Sequence, residues 1–381
     1  MAAIEQLTRN AVDVLPQGGL EEKLGLGRPL RVKLGIDVTA PHIHVGNGIP
    51  LQRMRAFQDQ GHTGVLIVGD YTARIGDPSG ASAERPLLDP EEIDRMAARF
   101  FESAYTILDP ERTEVRYNGE WLGELDFAGV LRLARTTTVA RLLERDDFAN
   151  RFAAQQAISV SELLYPLMQA YDSVAIEADV ELGGTDQLYN LLTGRDVMEA
   201  YGLAPQVVLT TPLIAAWDGA KMSGSRGNYI ALVEDPNDQF GKAMRLPDEL
   251  LDDYYRLVVE ADERPDDPLE AKLALARFLV RRAHGEAAAR AAEEHFTRVV
   301  REGRAPEEVP ELALPAGDPV HLPALLVDGL GIGSTSEARR LIGQGGVRLD
   351  GEPLTDLDVP RERLSGRLLQ AGKRRFARLT A

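Results

Sequence analysis

Between Leu30 and Leu232, short apolar runs closed by glycine alternate with stretches of helical spacing, and this alternation constrains the fold more than any other feature. The runs include Leu30–Ile36, Gly64–Gly69 and Gln206–Leu209. Apolar runs of four to eight residues read as buried strands, and strands separated by helices imply a parallel sheet in an α/β domain. From Pro236 to about Arg304 the pattern turns helical and rich in Ala, Leu, Arg and Glu. A proline-rich stretch from Ala305 to Pro319 ends the helices as a linker would, and Leu322–Ala381 returns to short mixed elements.

Composition narrows the chemistry. The chain has 381 residues and no cysteine, which excludes a disulfide framework, a thiol nucleophile and Cys-ligated zinc. Its six histidines are not grouped at metal-ligand spacing, so no metal site is expected. No apolar run approaches the ~20 residues of a membrane span. The N-terminal stretch has neither a secretory nor a transit pattern, so a cytoplasmic location is expected. The net charge is −17, yet Pro319–Ala381 holds ten Lys/Arg against seven Asp/Glu. A small positive end on an acidic body points to a nucleic-acid module joined to something else.

Two polar runs carry the chemistry. The first, Gly35–Pro50, follows a strand and leads into a helix whose first turn is expected at Pro50. Ligands bind α/β sheets between a strand's C-terminal end and a helix N-terminus, where free N–H groups favour phosphate. Gly46 and Gly48 would admit phosphates close to the backbone, and Thr39 and His44 can donate to them. The second run, Asp218–Asn228, combines three glycines with Lys221, Arg226, Ser223 and Ser225. Mobile backbone with cations suits a developing phosphoryl transition state.

Together the runs resemble the HIGH and KMSKS signatures of class I aminoacyl-tRNA synthetases, here His44-Val45-Gly46-Asn47 and Lys221-Met222-Ser223-Gly224-Ser225. Four further segments are similar to motifs of the bacterial-type tyrosyl-tRNA synthetases: Gly35–Ala40, Ile75–Gly80, Tyr165–Asp172 and Gly183–Gln187. The resemblance implies a Rossmann-like parallel-sheet catalytic domain over 1–232, with an insertion at about 80–161 that forms a homodimer interface. A helical anticodon-region domain would follow over 233–315, and a small α+β RNA-binding domain over 316–381.

The resemblance also implies roles. Tyrosine would meet Asp37, Asp77, Tyr165, Gln169 and Asp172, with Asp172 accepting from the phenol. Tyr165, Gln169 and Asp172 are spaced i, i+4, i+7 and share one helix face. ATP, entering with Mg²⁺, would meet Thr39, His44, Gly46, Asn47, Arg85, Gly183, Asp186, Gln187, Lys221, Met222, Ser223 and Ser225. His44, Asn47, Lys221 and Arg226 would be catalytic. The tyrosine carboxylate is already ionised when it attacks phosphorus, so no general base is required, and catalysis rests on positioning and charge. Activation would give tyrosyl-adenylate and pyrophosphate, followed by transfer to the 3′ end of tRNA(Tyr).

The chain departs from the family pattern at several places. Asn47 stands for the second histidine, Gly224 for the second lysine of the loop, Ala81 for a basic residue and Val38 for a proline. Arg226 is the candidate for the charge missing at Gly224. Lys33 stands where many relatives carry a tyrosine that touches the substrate hydroxyl. In the C-terminal zone, Ser336 is expected to cap a short helix, Gly345-Gly346 to end it and Asp350-Gly351 to form a hairpin. That pattern looks like a small RNA-binding fold, with Arg339, Arg340, Arg348, Lys373 and Arg374 toward RNA phosphates. The alternatives are a paralogue that binds RNA without charging it and an adenylating enzyme with a small acceptor.

Overall fold

The computed structural model describes residues 2–37, 43–75, 90–302, 305, 309–372 and 375–380. Thr39, Asp77, Ala81, Arg85, Lys373 and Arg374 lie outside the described residues. The chain divides into two compact units, Met1–His284 and Gly285–Ala381.

The first unit is built on a six-stranded sheet. Its strands are β1 (Asp13–Leu15), β2 (Arg31–Ile36), β3 (Thr63–Val68), β4 (Thr113–Tyr117), β5 (Val180–Gly184) and β6 (Val207–Thr211). They lie in the order β1-β6-β5-β2-β3-β4, all parallel except β1, which runs antiparallel along β6. The chain leaves β2 in one direction through β3 and β4, then returns to build β5 and β6 on the other side. That reversal opens a crevice at the C-terminal ends of β2 and β5, the place where doubly wound sheets hold ligands.

Both faces of the sheet are covered, which explains strands that read as continuous apolar runs. Val65 and Ile67 pack with Ile176 at the end of the helix Val160–Ile176. On the other face, a Cβ at Gly64 would overlap Met54 of the helix Val45–Asp59, so glycine there lets helix and strand approach closely.

Several expectations are corrected. The helix after β2 begins at Val45, and Pro50 lies inside it. Its start is set by His44, whose side chain accepts from the Asn47 backbone N–H while the Asn47 side chain accepts from the His44 N–H. This reciprocal cap draws Gly46–Gly48 out of the loop and into the first turn. The segment at about 80–161 is not wholly an insertion, because β4 within it is a full member of the sheet. What is added between the two halves is a set of short helices, including Phe127–Ala134 and Asp146–Ala153.

The second unit has a five-stranded sheet and an apolar core that includes Leu322, Leu326, Ile342, Val347 and Leu369. Its strand Glu311–Ala313 falls in the stretch expected to be a plain linker. Leu312 there packs against the core, and a Cβ on Gly329 would collide with it. The helix Thr335–Gly343 is capped by Ser334, not Ser336: Ser334 Oγ accepts from the Glu337 N–H at 3.1 Å. Serine three residues ahead of glutamate is the arrangement that caps, and Ser336 falls inside the helix. Val347–Leu349 and Glu352–Pro353 pair as a hairpin, with Asp350 and Gly351 both at positive φ.

Candidate active site

A cavity of about 310 Å³ opens in the crevice beyond β2 and β5. It gathers residues from both polar runs: His44, Gly46 and Asn47 from the first, Lys221, Met222, Ser223 and Gly224 from the second. Gly183, Asp186 and Gln187 enter from the end of β5, and Asp37, Tyr165, Gln169 and Asp172 complete it. Ser225 lies in the turn Gly224–Arg226, its side chain outside the described residues. Arg226 is exposed and stands outside the lining.

One end of the cavity is carboxylate-rich. Asp37, just past β2, accepts from the Tyr165 hydroxyl at 2.8 Å and from the Thr72 hydroxyl at 2.7 Å. Gly69 after β3 leaves the space these groups occupy, since a Cβ there would overlap both Asp37 and Thr72. Gln169 Oε1 accepts from Asn190, whose amide also donates to Gln187 Oε1 at 3.0 Å. Asn190 is buried and accepts in turn from Arg145. The pocket amides are therefore held by a polar chain reaching into the core.

Asp172 is 3% exposed. It accepts from the Trp121 indole N–H at 2.8 Å and from Asn118 at 3.4 Å. Burial pushes its carboxyl up to about 7, against the opposing pull of Lys33 and of these two donors. Trp121, Asn118, Thr72 and Gly69 were not identifiable from sequence. They sit at or beyond the ends of β3 and β4, and only the sheet order brings them to Asp172 and Asp37. Lys33 lies outside the cavity lining, although it stands where many relatives carry a substrate-contacting tyrosine.

The other end is cationic and mobile in composition. His44 is pushed down to about 4, first by burial and then by Lys221, so its imidazole is neutral at physiological pH. Its Nδ1 accepts from the Asn47 N–H at 3.3 Å, which places the ring proton on Nε2 as a donor. Asn47 uses its carbonyl oxygen in the helix cap. Lys221 Nζ contacts Asp186 at 2.6 Å. The loop is closed at its base by Asn228, which donates to Asp218 and to the Lys221 carbonyl and accepts from the Ser223 N–H.

The two polar runs also share a backbone seam. Val45 N–H donates to Ile230 O at 2.9 Å, and Leu232 N–H donates to Ile43 O at 2.7 Å. The segment around His44 is thus paired with the segment directly after the loop.

In the second unit, Arg339, Arg340 and Arg348 are exposed. Arg340 lines a separate depression with Arg375, Gln344 and Gly372. Arg375 belongs to the basic run at the chain end, but a place beside Arg340 depends on the sheet and was not foreseen.

Comparison with known proteins identifies the family. The family model described as tRNA synthetases class I (W and Y) matches residues 26–301. A tyrosine–tRNA ligase of Thermotoga maritima is 46% identical over 390 residues, covering 99% of this chain and 97% of its own. One of Moorella thermoacetica is 48% identical, covering 98% of this chain and 94% of its own. Among solved structures, a tyrosyl-tRNA synthetase complexed with L-tyrosine from Archaeoglobus fulgidus superposes with a TM-score of 0.61 at 23% identity. It covers 76% of this chain and 98% of that one, and at this identity it speaks to the fold alone.

Proposed function

The chain belongs to the class I aminoacyl-tRNA synthetases and is a tyrosine–tRNA ligase, and on that premise we propose how its residues divide the work. The carrying observation is the single cavity that joins a buried acceptor, Asp172, to a phosphate-facing pair, His44 and Lys221. Tyrosine lies with its phenol toward Asp172 and its ammonium toward Tyr165 and Gln169, with Asp37 holding Tyr165 in place. Asp77 joins the ammonium site by resemblance.

ATP enters with Mg²⁺, which phosphate oxygens and water hold for the most part. Asp186 accepts from ribose hydroxyls, and Gly183 keeps the floor low beneath the adenosine. Gly46 and the helix N-terminus at Val45 face the phosphates. Neutral His44 donates through Nε2–H, and Lys221 takes the pyrophosphate side. Thr39, Arg85, Gln187, Met222, Ser223 and Ser225 complete the nucleotide contacts. Arg226 supplies the cation that Gly224 does not.

In activation a tyrosine carboxylate oxygen forms a bond to the α-phosphorus while the bond to the pyrophosphate oxygen breaks. No proton moves. The site therefore needs no base, and preorganised donors suffice. In the second step a terminal ribose hydroxyl oxygen of the tRNA bonds to the tyrosyl carbonyl carbon, the bond to the AMP phosphate oxygen breaks, and the hydroxyl proton leaves with the departing AMP phosphate.

The helices after residue 232 serve the anticodon region, and the sheet-bearing part of the second unit, which takes in the strand Glu311–Ala313, binds RNA through Arg339, Arg340, Arg348, Lys373, Arg374 and Arg375. The chain works in the cytoplasm as a homodimer. Exposed Phe127 and Phe152 on the inserted helices, with Val160 at the start of the next helix, support the dimer, being large apolar groups that water would otherwise meet. Among the described residues, no helix is long and apolar enough to cross a membrane.

The test separates the two half-reactions. Tyrosine-dependent ATP–pyrophosphate exchange and tRNA(Tyr) charging are both expected of the full chain. Removing Gly285–Ala381 is expected to spare exchange and abolish charging. Absence of exchange in the full chain overturns the reading.

A further inference from the structure

A charged pair lies beneath the cavity floor, and the reaction as described does not use it. Lys33, midway along β2, stands opposite Glu181 of β5, and both are essentially fully buried. Lys33 Nζ is 2.8 Å from Glu181 Oε1 and donates at 2.8 Å to both the Gln169 carbonyl and the Ser173 hydroxyl. Lys33 Nζ is thus held within the buried layer by an ion pair with Glu181 and hydrogen bonds to the helix at Gln169 and Ser173. Glu181 accepts in addition from Gln206 and, at 3.3 Å, from Ser173.

Burying such a pair is costly, and well-packed apolar residues would serve stability as well or better. What distinguishes this pair is its position. Its helix partners, Gln169 and Ser173, flank Asp172 on the helix Val160–Ile176. Lys33 from β2 and Glu181 from β5 are the charged groups that act on the Asp172 carboxyl. Its other neighbours, Trp121 and Asn118, are neutral donors. Arg116 stacks over the Trp121 ring at 5.3 Å, behind the indole. Asp37 and Tyr165 are bonded to one another.

We propose that Lys33 and Glu181 are positioning residues that set tyrosine specificity through Asp172. The cation favours the carboxylate form that accepts from a phenol, and the neighbouring anion opposes it. This rests on the reading of Asp172 as the phenol acceptor. An ionised, buried acceptor is left unpaired by phenylalanine, so discrimination follows the ionised fraction of Asp172.

The experiment measures kcat/KM for tyrosine and phenylalanine in pyrophosphate exchange from about pH 5 to about pH 9, across the Asp172 titration. The tyrosine-to-phenylalanine ratio is expected to rise with pH in the wild type. Lys33→Met should move the midpoint of that rise to higher pH, and Glu181→Gln to lower pH, each by about one pH unit or more. A merely structural pair would not shift the midpoint in opposite directions. Unmoved midpoints, or shifts of the same sign, overturn the proposal. If Lys33→Met does not fold, the near-isosteric Glu181→Gln decides alone: an acid shift supports the proposal and any other result ends it. Asp172→Asn separates the two layers. If that variant keeps wild-type discrimination, the reading of Asp172 falls and the proposal with it. If it loses discrimination while the Lys33 and Glu181 variants keep the wild-type midpoint, only the proposal falls.

Discussion

Lys221 and Asp186 hold each other across the mouth of the cavity, Nζ to carboxylate at 2.6 Å. The two groups proposed for opposite parts of ATP are thus paired with one another. On the proposed assignment, nucleotide binding exchanges this contact for a ribose at Asp186 and a phosphate at Lys221. Both side chains are partly exposed, so the pair itself is weak and easily exchanged.

Lys221→Ala is therefore expected to lower kcat for pyrophosphate exchange by about 10²–10³-fold, the size seen when one preorganised donor is removed. KM for tyrosine should change little, since Lys221 lies at the nucleotide end. Arg226→Ala should cost about tenfold or more if this residue supplies charge to the same transition state. A smaller loss would assign Arg226 to the surface.

Asp172 predicts a pH-dependent stability. Its native carboxyl is raised to about 7 from an ordinary value of 3.8, so the folded chain binds its proton more tightly than the unfolded one. Stability then falls as pH rises between those values, and the full penalty is present above the upper one. Asp172→Asn removes it. The thermal midpoint of the variant relative to wild type should be higher at pH 8 than at pH 5. The gain is up to about 4 kcal/mol for a shift of this size, less whatever the amide loses in pairing. An equal difference at the two pH values would contradict the burial argument.

Gly69→Ala should damage tyrosine binding without touching the nucleotide end. The added methyl overlaps Asp37 Oδ1 and Thr72 Oγ1 and would break their bond. We expect KM for tyrosine to rise about tenfold or more, with a stability loss of about 1–3 kcal/mol from overpacking. A wild-type KM for tyrosine would show that Asp37 is free to move aside.

The exposed apolar residues of the inserted helices predict an association phenotype. Phe152→Asp places a charge where an apolar contact is expected, and the variant should sediment at the mass of one chain while the wild type sediments at two. Wild-type assembly in the variant would place the interface elsewhere.

The sequence was informative where a residue's role depends on near neighbours. The runs behind β2, β3 and β6 were visible as short apolar stretches, and Tyr165, Gln169 and Asp172 share a helix face by spacing alone. The hairpin at Asp350-Gly351 announced itself in two residues. The helix start at His44 was missed because a histidine side chain performs the capping usually done by serine or aspartate. Strand β4 was missed because it is only partly buried and carries Glu114 and Arg116, so it lacks the apolar run that marks its neighbours. Trp121 and Lys33 were beyond reach for a different reason. Their partners, Asp172 and Glu181, are 51 and 148 positions away, and only the strand order 5-2-3-4 brings them together.

The seam between Ile43–Val45 and Ile230–Leu232 has a mechanical consequence. Whatever excursion the glycine-rich arm at 217–228 makes, its downstream root is spliced to the very backbone that carries the imidazole. The spacing of the two jaws is then governed by a few backbone amide bonds at that root.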